Sequence, residues 1–113
     1  MKPMYSKAQL RYSKAKVNFE NRAKVMEKKI EDTRKTTEIS QEVMEGLVME
    51  TGFHDAYNDL VLAENELIEW SHATIKHEKT YRDNRDAIDT MYENINNDPA
   101  VRAQVIELAM KIR

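Results

Sequence analysis

Apolar and small side chains recur at alternating steps of three and four residues along almost the whole chain. This heptad spacing places them on one face of a helix and is typical of helices that pack side by side. In the first half the pattern continues without a change of phase as far as Leu47, and in the second half it resumes at Ala56. It therefore predicts two long helices, over about residues 6–50 and 55–96.

The segment between these two helices, residues 51–55, carries the signals of a turn. Gly52 can adopt the left-handed conformation that commonly ends a helix, and Asp55 can cap the start of the next one. Since a short connection makes neighbouring helices antiparallel, we expect a long antiparallel helical hairpin that resembles a coiled coil.

A second boundary lies at Asp98 and Pro99, which are favourable residues for the N-cap and the first position of a helix. We expect a short third helix there, over about residues 99–112, and a single all-α domain spanning residues 1–113. Only two glycines and two prolines interrupt the chain, and a β or α/β fold of this length would need more turn residues.

Two stretches of the long helices have low helix propensity. Residues 33–37 contain three threonines, whose branched side chains are restricted in a helix, and residues 80–86 are similarly polar. A break at both stretches would divide the chain into five short helices. The heptad pattern passes through both without changing phase, and this favours continuous helices.

The loop end of the predicted hairpin carries a second stripe of large apolar side chains. The short third helix could cover only about a third of a first helix that is roughly 67 Å long, at about 1.5 Å per residue. Monomers rarely leave an apolar strip of this size exposed. We therefore expect a homodimer in which two hairpin ends complete a four-helix bundle. Its interface residues would be Ile39, Val43, Val48, Tyr57, Val61, Ile68 and Ile75.

Charge is strongly segregated along the chain, although the net charge is only −2. Residues 1–35 contain eleven Lys and Arg against four acids, whereas residues 36–70 contain nine acids and no Lys or Arg. Five basic residues at helical spacing define a basic face: Lys7, Arg11, Lys14, Arg22 and Lys29. Five acids around the predicted turn define an acidic tip: Glu42, Glu45, Glu50, Asp55 and Asp59.

Each charged surface has more than one interpretation. The basic face is a solvated surface, a surface that binds the acidic end of another copy, or a row of charges for phosphates, whose affinity would fall steeply with salt. No recognition-helix or RNA-recognition motif supports nucleic acid. The acidic tip is a solvated rim around the dimer contact, a docking surface for a basic protein, or a mimic of nucleic acid.

Glu69 and His72 form an E-x-x-H pair on the second predicted helix. In ferritin-like di-metal proteins this spacing directs a carboxylate and an imidazole towards the bundle centre. The chain contains no second pair of this kind, and the spacing arises easily in an acidic helix. We therefore expect a structural histidine and no cofactor, with a di-metal oxidase as the least favoured alternative.

Composition argues against most other classes. The chain has no cysteine for disulfides or thiolate ligands, and no apolar run approaches the ~20 residues that cross a bilayer. We expect a cytoplasmic protein without a signal peptide, membrane contact or small-molecule substrate, since no phosphate loop or Gly-flanked serine is present. The sequence predicts a protein-binding adaptor, inhibitor or assembly factor that uses the basic face and the acidic tip, and not an enzyme. A nucleic-acid-binding accessory protein is the alternative.

Overall fold

The structure of the chain is a computed structural model that describes residues 2–76 and 79–112, with side chains for residues 5–76, 79 and 81–112. The regular elements in these residues are α-helices without any strand, so the predicted all-α class is confirmed. The helices, in chain order, are α1 (Lys2–Arg34), α2 (Gln41–Thr51), α3 (Phe53–Ile75), α4 (Lys79–Asp83), α5 (Arg85–Glu93) and α6 (Pro99–Lys111).

The first long helix is interrupted where the sequence predicts continuity. In place of one helix over about residues 6–50, α1 ends at Arg34 and residues 35–40 form a connection. Ser40 is the N-cap of α2, and its hydroxyl oxygen accepts a hydrogen bond from the backbone N–H of Val43 at 3.2 Å. A serine cap that follows three threonines favours a new helix start over continuation, so the prediction of one continuous helix was wrong here.

The predicted turn at residues 51–55 is reduced to one residue. Gly52 has a left-handed φ of 70°, and its N–H donates towards the carbonyl oxygens of Val48 and Met49, as in a glycine that ends a helix. The next helix, α3, begins at the residue that follows, so this glycine separates two helices without a loop.

The second long helix is also interrupted. In place of one helix over about residues 55–96, α3 ends at Ile75 and two short helices, α4 and α5, follow it. Residues 77 and 78, at the first interruption, lie outside the described residues. The last helix, α6, begins at the boundary that the sequence indicates, and the side chain of Asp98 accepts a hydrogen bond from the backbone N–H of Ala100 at 2.9 Å.

The chain forms two compact units, to which α1 and α3 each contribute residues. Unit 1 comprises Met1–Tyr12 and Ala63–Arg113, and unit 2 comprises residues 13–62. The single domain expected from the sequence stays a prediction.

Unit 1 has a core that α6 helps to enclose. The hydroxyl of Tyr5 donates a hydrogen bond to the carbonyl oxygen of Ala109, and the amide of Gln9 donates to the same oxygen at 2.9 Å and to that of Ile112 at 3.0 Å. Aliphatic side chains of the same unit, such as Leu67 of α3 and Val105 of α6, are fully buried. Both hydrogen bonds and apolar burial therefore hold α6 against the rest of unit 1.

Unit 2 consists of antiparallel helical segments with little enclosed core. Lys29 of α1 pairs with Glu50 of α2 at 3.0 Å, whereas the ring of Phe19 lies 5.3 Å from that of Phe53 and 6.1 Å from that of Tyr57. Residue numbers thus rise along α2 and α3 as they fall along α1. Only four side chains of unit 2 are buried: Met26, Leu47, Thr51 and Ala56.

Candidate protein-interaction surfaces

An aromatic cluster forms a partly open apolar surface of unit 2. Phe53, Tyr57 and Val61 follow one another at four-residue spacing on one side of α3, and Phe19 of α1 contacts the first two through its ring. Phe19, Phe53 and Val61 are only half-buried, and Tyr57 is 49% exposed. We call these four residues the apolar face.

The seven predicted interface residues fall into two groups. Ile68 and Ile75 are buried inside unit 1 of a single chain, so their assignment to a dimer interface was wrong. The reason is that α6 extends further along α3 than the sequence suggests: Arg102 of α6 forms an ion pair with Glu64 at 3.3 Å. The remaining five lie in unit 2, where Tyr57 is exposed and the others are half-buried: Ile39, Val43, Val48 and Val61.

The basic face is largely engaged in contacts within the chain. Arg11 forms an ion pair with Glu66 in unit 1, and Lys29 forms the ion pair with Glu50 described above. The guanidinium of Arg22 lies 3.5 Å from the carbonyl oxygen of Thr51. Lys7 and Lys14 are exposed and have no ion-pair partner in the described part of the chain. Three of the five predicted residues thus have carboxylate or carbonyl partners already.

A second row of lysines, which the sequence analysis missed, lies on the outer side of α1 in unit 2. Lys24 and Lys28 join Lys14 there, and Val17 and Val25 lie between them. Each lysine is exposed and lacks an ion-pair partner among the residues described, and Val17 is 56% exposed. These side chains recur at steps of three, four and seven residues on the side of α1 opposite the buried Met26, and this spacing is the sequence signal that could have identified the row. We call these five residues the lysine face.

The acidic tip is exposed, but it does not surround a loop. Glu42 and Glu45 lie on α2, Asp55 and Asp59 lie on α3, and Glu50 pairs with Lys29.

Two exposed apolar side chains that the sequence analysis did not assign accompany these acids on the outer side of α2 and α3: Met49, which is 82% exposed, and Leu62, which is 57% exposed. Together with Glu42, Glu45 and Asp55 they form a surface that we call the acidic face. It contains carboxylates and aliphatic groups and no Lys or Arg.

The E-x-x-H pair lies on α3 in unit 1. Glu69 is exposed, whereas His72 is half-buried and stacks on Tyr92, with ring centroids 4.4 Å apart. Both line an open cleft of about 450 Å³ between α3 and α5. Within residues 2–76 and 79–112, no group of three His, Asp or Glu side chains is placed to hold a metal ion.

Phenol groups beside this cleft are held in the neutral form. The hydroxyl of Tyr81 donates to Asp89 at 2.9 Å, and this hydrogen bond raises the pKa of Tyr81. Burial raises the pKa of Tyr92, whose hydroxyl shares a hydrogen bond of 2.6 Å with Ser71. Both tyrosines are thus fixed by structural hydrogen bonds, and neither is activated as an acid or a base at neutral pH.

Comparison with known proteins identifies no relative: no family model matches the chain, and neither the curated proteins nor the solved structures contain a significant match. Within the described ranges, no helix combines the length and hydropathy that a membrane span requires. Inference about function therefore depends on the chain's own surfaces.

Proposed function

We propose that the chain is a protein-interaction module, acting as an adaptor, inhibitor or assembly factor, whose apolar face docks against the same face of a second copy. The observation that supports this is the contrast between the two units. Unit 1 encloses its core beneath α6, whereas unit 2 buries only four of its fifty residues and leaves an aromatic cluster partly open to solvent.

Burial of the apolar face provides the driving force for docking. A large apolar or aromatic side chain that passes from water into a packed interface contributes about 1.5–3 kcal/mol before entropy costs. Phe19, Phe53, Tyr57 and Val61 are already partly covered, so each contributes a fraction of this value. Four such side chains from each of two copies are still enough to form the centre of a small interface.

The distribution of charge in unit 2 favours a second copy of the chain as the partner that covers the apolar face. In unit 2, residues 13–34 of α1 contain seven Lys and Arg and four acids, whereas residues 41–62 contain five acids and no Lys or Arg. A two-fold arrangement that places α1 of one copy beside α2 and α3 of the other would bring opposite charges together. It would also complete a four-helix bundle around the aromatic cluster.

Size-exclusion chromatography with light scattering tests this proposal. We expect the wild-type chain to be a dimer at about 500 mM salt, because apolar burial is not screened by ions. Tyr57→Glu places a charge in the apolar face and should give a monomer. Leu10→Glu alters an exposed aliphatic side chain of unit 1 and should leave the dimer intact.

Circular dichroism would show that both variants keep the helix content of the wild-type chain. A wild-type monomer at all concentrations would contradict the proposal. So would a Tyr57→Glu variant that remains dimeric.

The alternative of nucleic-acid binding has less support. Its predicted basic face is reduced by the contacts of Arg11, Arg22 and Lys29 within the chain. Of the two lysines of that face that remain without an ion-pair partner among the described residues, Lys7 lies in unit 1, and Lys14 belongs to the lysine face, where two exposed valines interrupt the charge. No arrangement of the described residues favours the di-metal alternative.

A further inference from the structure

The lysine face combines a row of lysines, unpaired within the part of the chain that the structure describes, with exposed valines at related helical positions. Lys14, Lys24 and Lys28 lie on the side of α1 that points away from α2 and α3, and they extend over about 21 Å at about 1.5 Å per residue. Exposed Val17 and Val25 lie between them. Isolated exposed valines are common, but here they follow a heptad-like spacing with the lysines.

The acidic face has the same construction with the opposite charge. Glu42, Glu45 and Asp55 supply three carboxylates, and the exposed Met49 and Leu62 supply aliphatic surface. By helical phase this face lies roughly opposite the buried Leu47 of α2 and Ala56 of α3, on the side away from α1. The two faces are therefore on opposite sides of unit 2, and one chain cannot join its own two faces.

The mixture of charge and aliphatic groups favours a protein helix over nucleic acid as the ligand of either face. Phosphate backbones are bound by cations and hydrogen-bond donors, and exposed valines contribute nothing to that contact. A helix with complementary charges and its own apolar side chains satisfies both features, as the charged flanks and apolar centres of coiled coils do. Such a helical surface is present on this chain.

We infer that the lysine face of one copy binds the acidic face of a second copy, head to tail. The contact joins two different surfaces, so each added copy presents a new free lysine face or a new free acidic face. An interface of this heterologous kind forms an open chain of subunits unless its rotation closes a ring. It is separate from the apolar face and adds a second mode of assembly to the proposed function.

The register within unit 2 indicates how the two copies meet. Along the antiparallel contact in one chain, Lys29 lies opposite Glu50, and Phe19 lies opposite Phe53 and Tyr57. A second copy related by simple translation keeps this register between α1 and the α2–α3 segment of its neighbour.

In that register Val17 lies near Leu62 of the second copy, and Lys24 lies near Asp55 of the second copy. An apolar pair is then flanked by one ion pair, and the other lysines and glutamates of the two faces contribute through the longer-range attraction between opposite charges. Exposed ion pairs are weak singly and are screened by salt, so the association should be concentration-dependent and salt-sensitive.

A mixing experiment distinguishes this contact from other forms of association. The lysine-face variant is K14E/K24E/K28E, and the acidic-face variant is E42K/E45K/D55K. Each variant retains one of the two faces. Neither should associate by this contact alone, whereas an equimolar mixture should, because the intact acidic face of the first meets the intact lysine face of the second.

A third variant, K76E/K79E/R82E, serves as the charge-matched control. It reverses three exposed basic residues of unit 1 and leaves both faces unchanged. Circular dichroism would verify that all three variants are folded. Sedimentation velocity at about 20 mM and about 500 mM salt then measures the mass of each sample, since the screening length shortens severalfold between these conditions.

For the wild-type chain and the control we expect the weight-average mass at low salt to increase with concentration and to exceed the high-salt value at least twofold. Each face variant alone should keep its high-salt mass at low salt. Their mixture should regain a larger species of at least a 1:1 complex, because the intact faces are complementary and the two reversed faces also carry opposite charges.

The high-salt mass separates the two proposals. A dimer that persists at high salt belongs to the apolar face, and its presence or absence tests the proposed function alone. The head-to-tail contact is overturned if the wild-type mass is the same in both salts, or if the mixture behaves as the sum of its components. It is also overturned if the low-salt species requires added duplex DNA and is lost in the lysine-face variant, since the lysine face would then bind nucleic acid.

Discussion

Removal of two hydroxyl groups on α3 in unit 1 should change the stability of the chain in opposite directions. Ser71 is fully buried, donates to the carbonyl oxygen of Ile68 at 2.8 Å and shares a hydrogen bond of 2.6 Å with the hydroxyl of Tyr92. Thr74 is also buried, but its Oγ1 has no hydrogen-bond partner among the described residues. The first hydroxyl therefore stabilises the fold, and the second destabilises it relative to an apolar side chain of the same shape.

The expected magnitudes follow from the cost of an unsatisfied polar group. A buried hydroxyl without a partner costs about 1–3 kcal/mol, and Thr74→Val removes it while keeping the branched shape, so we expect about 1 kcal/mol of stabilisation. This corresponds to a rise in Tm of roughly 4 °C for a domain of this size. Ser71→Ala removes two hydrogen bonds and leaves the hydroxyl of Tyr92 without its Ser71 partner, so we expect about 1–3 kcal/mol of destabilisation.

Urea unfolding followed by circular dichroism measures both changes in the free energy of unfolding. The control is Thr90→Val, the same substitution at an exposed position of α5, where the effect should stay within about 0.5 kcal/mol. If Thr74→Val destabilised the chain as much as Ser71→Ala does, the hydroxyl of Thr74 would have a partner in solution, and the reasoning from its burial would be refuted.

Three further changes test other parts of the structure. Ser40→Ala removes the N-cap of α2 and should lower the free energy of unfolding in urea by about 1 kcal/mol. Burial raises the pKa of Tyr5 and Tyr92, so stability should be full below about pH 10 and fall above it, as the unfolded phenols ionise first. This alkaline loss should be smaller when either is replaced by Phe. Arg102→Ala leaves partly buried Glu64 without its cation and should cost about 1.5–3 kcal/mol, which additional Glu64→Leu should partly restore.

Helix ends could be predicted from the sequence where one residue determines the local backbone. Asp98 and Pro99 mark the start of α6 because a carboxylate can accept from a free N–H and proline needs no hydrogen bond there. Gly52 adopts positive φ because it has no Cβ. These effects depend on adjacent residues, and so they can be recognised without knowledge of the fold.

The direction of the chain after α1 could not be predicted in the same way. A heptad pattern shows which face of each segment is apolar, but it does not show whether two successive segments are collinear. When the chain turns back at residues 35–40, the apolar faces of α1 and α2 meet each other, and the pattern remains in phase by sequence alone. The threonines and Ser40 were the only local signals of a turn, and each is also tolerated inside a helix.

The position of that turn determines whether the segregated charges form separate surfaces or contact each other within the chain. A turn at residues 51–55 would leave the basic first helix and the acidic tip as separate surfaces, each in need of a partner. A turn at residues 35–40 lays basic α1 along acidic α2 and α3, and the pair of Lys29 with Glu50 in unit 2 results. Part of the segregation is thus an intramolecular complementarity that favours the antiparallel contact.

Helical phase, and not charge alone, determines which charged residues stay available for a partner. On α1 in unit 2, the basic residues on the flank beside α2 reach carboxylates or carbonyls of the same chain, whereas Lys14, Lys24 and Lys28 on the outer side do not. The same holds for the acids, since Glu50 is paired while Glu42 and Glu45 point outward. Unit 2, in which a basic segment of α1 packs along the more acidic α2 and the start of α3, therefore keeps a residual charge of each sign on its outer sides. Because those sides also carry exposed aliphatic groups, the complementarity that folds unit 2 is available again between copies.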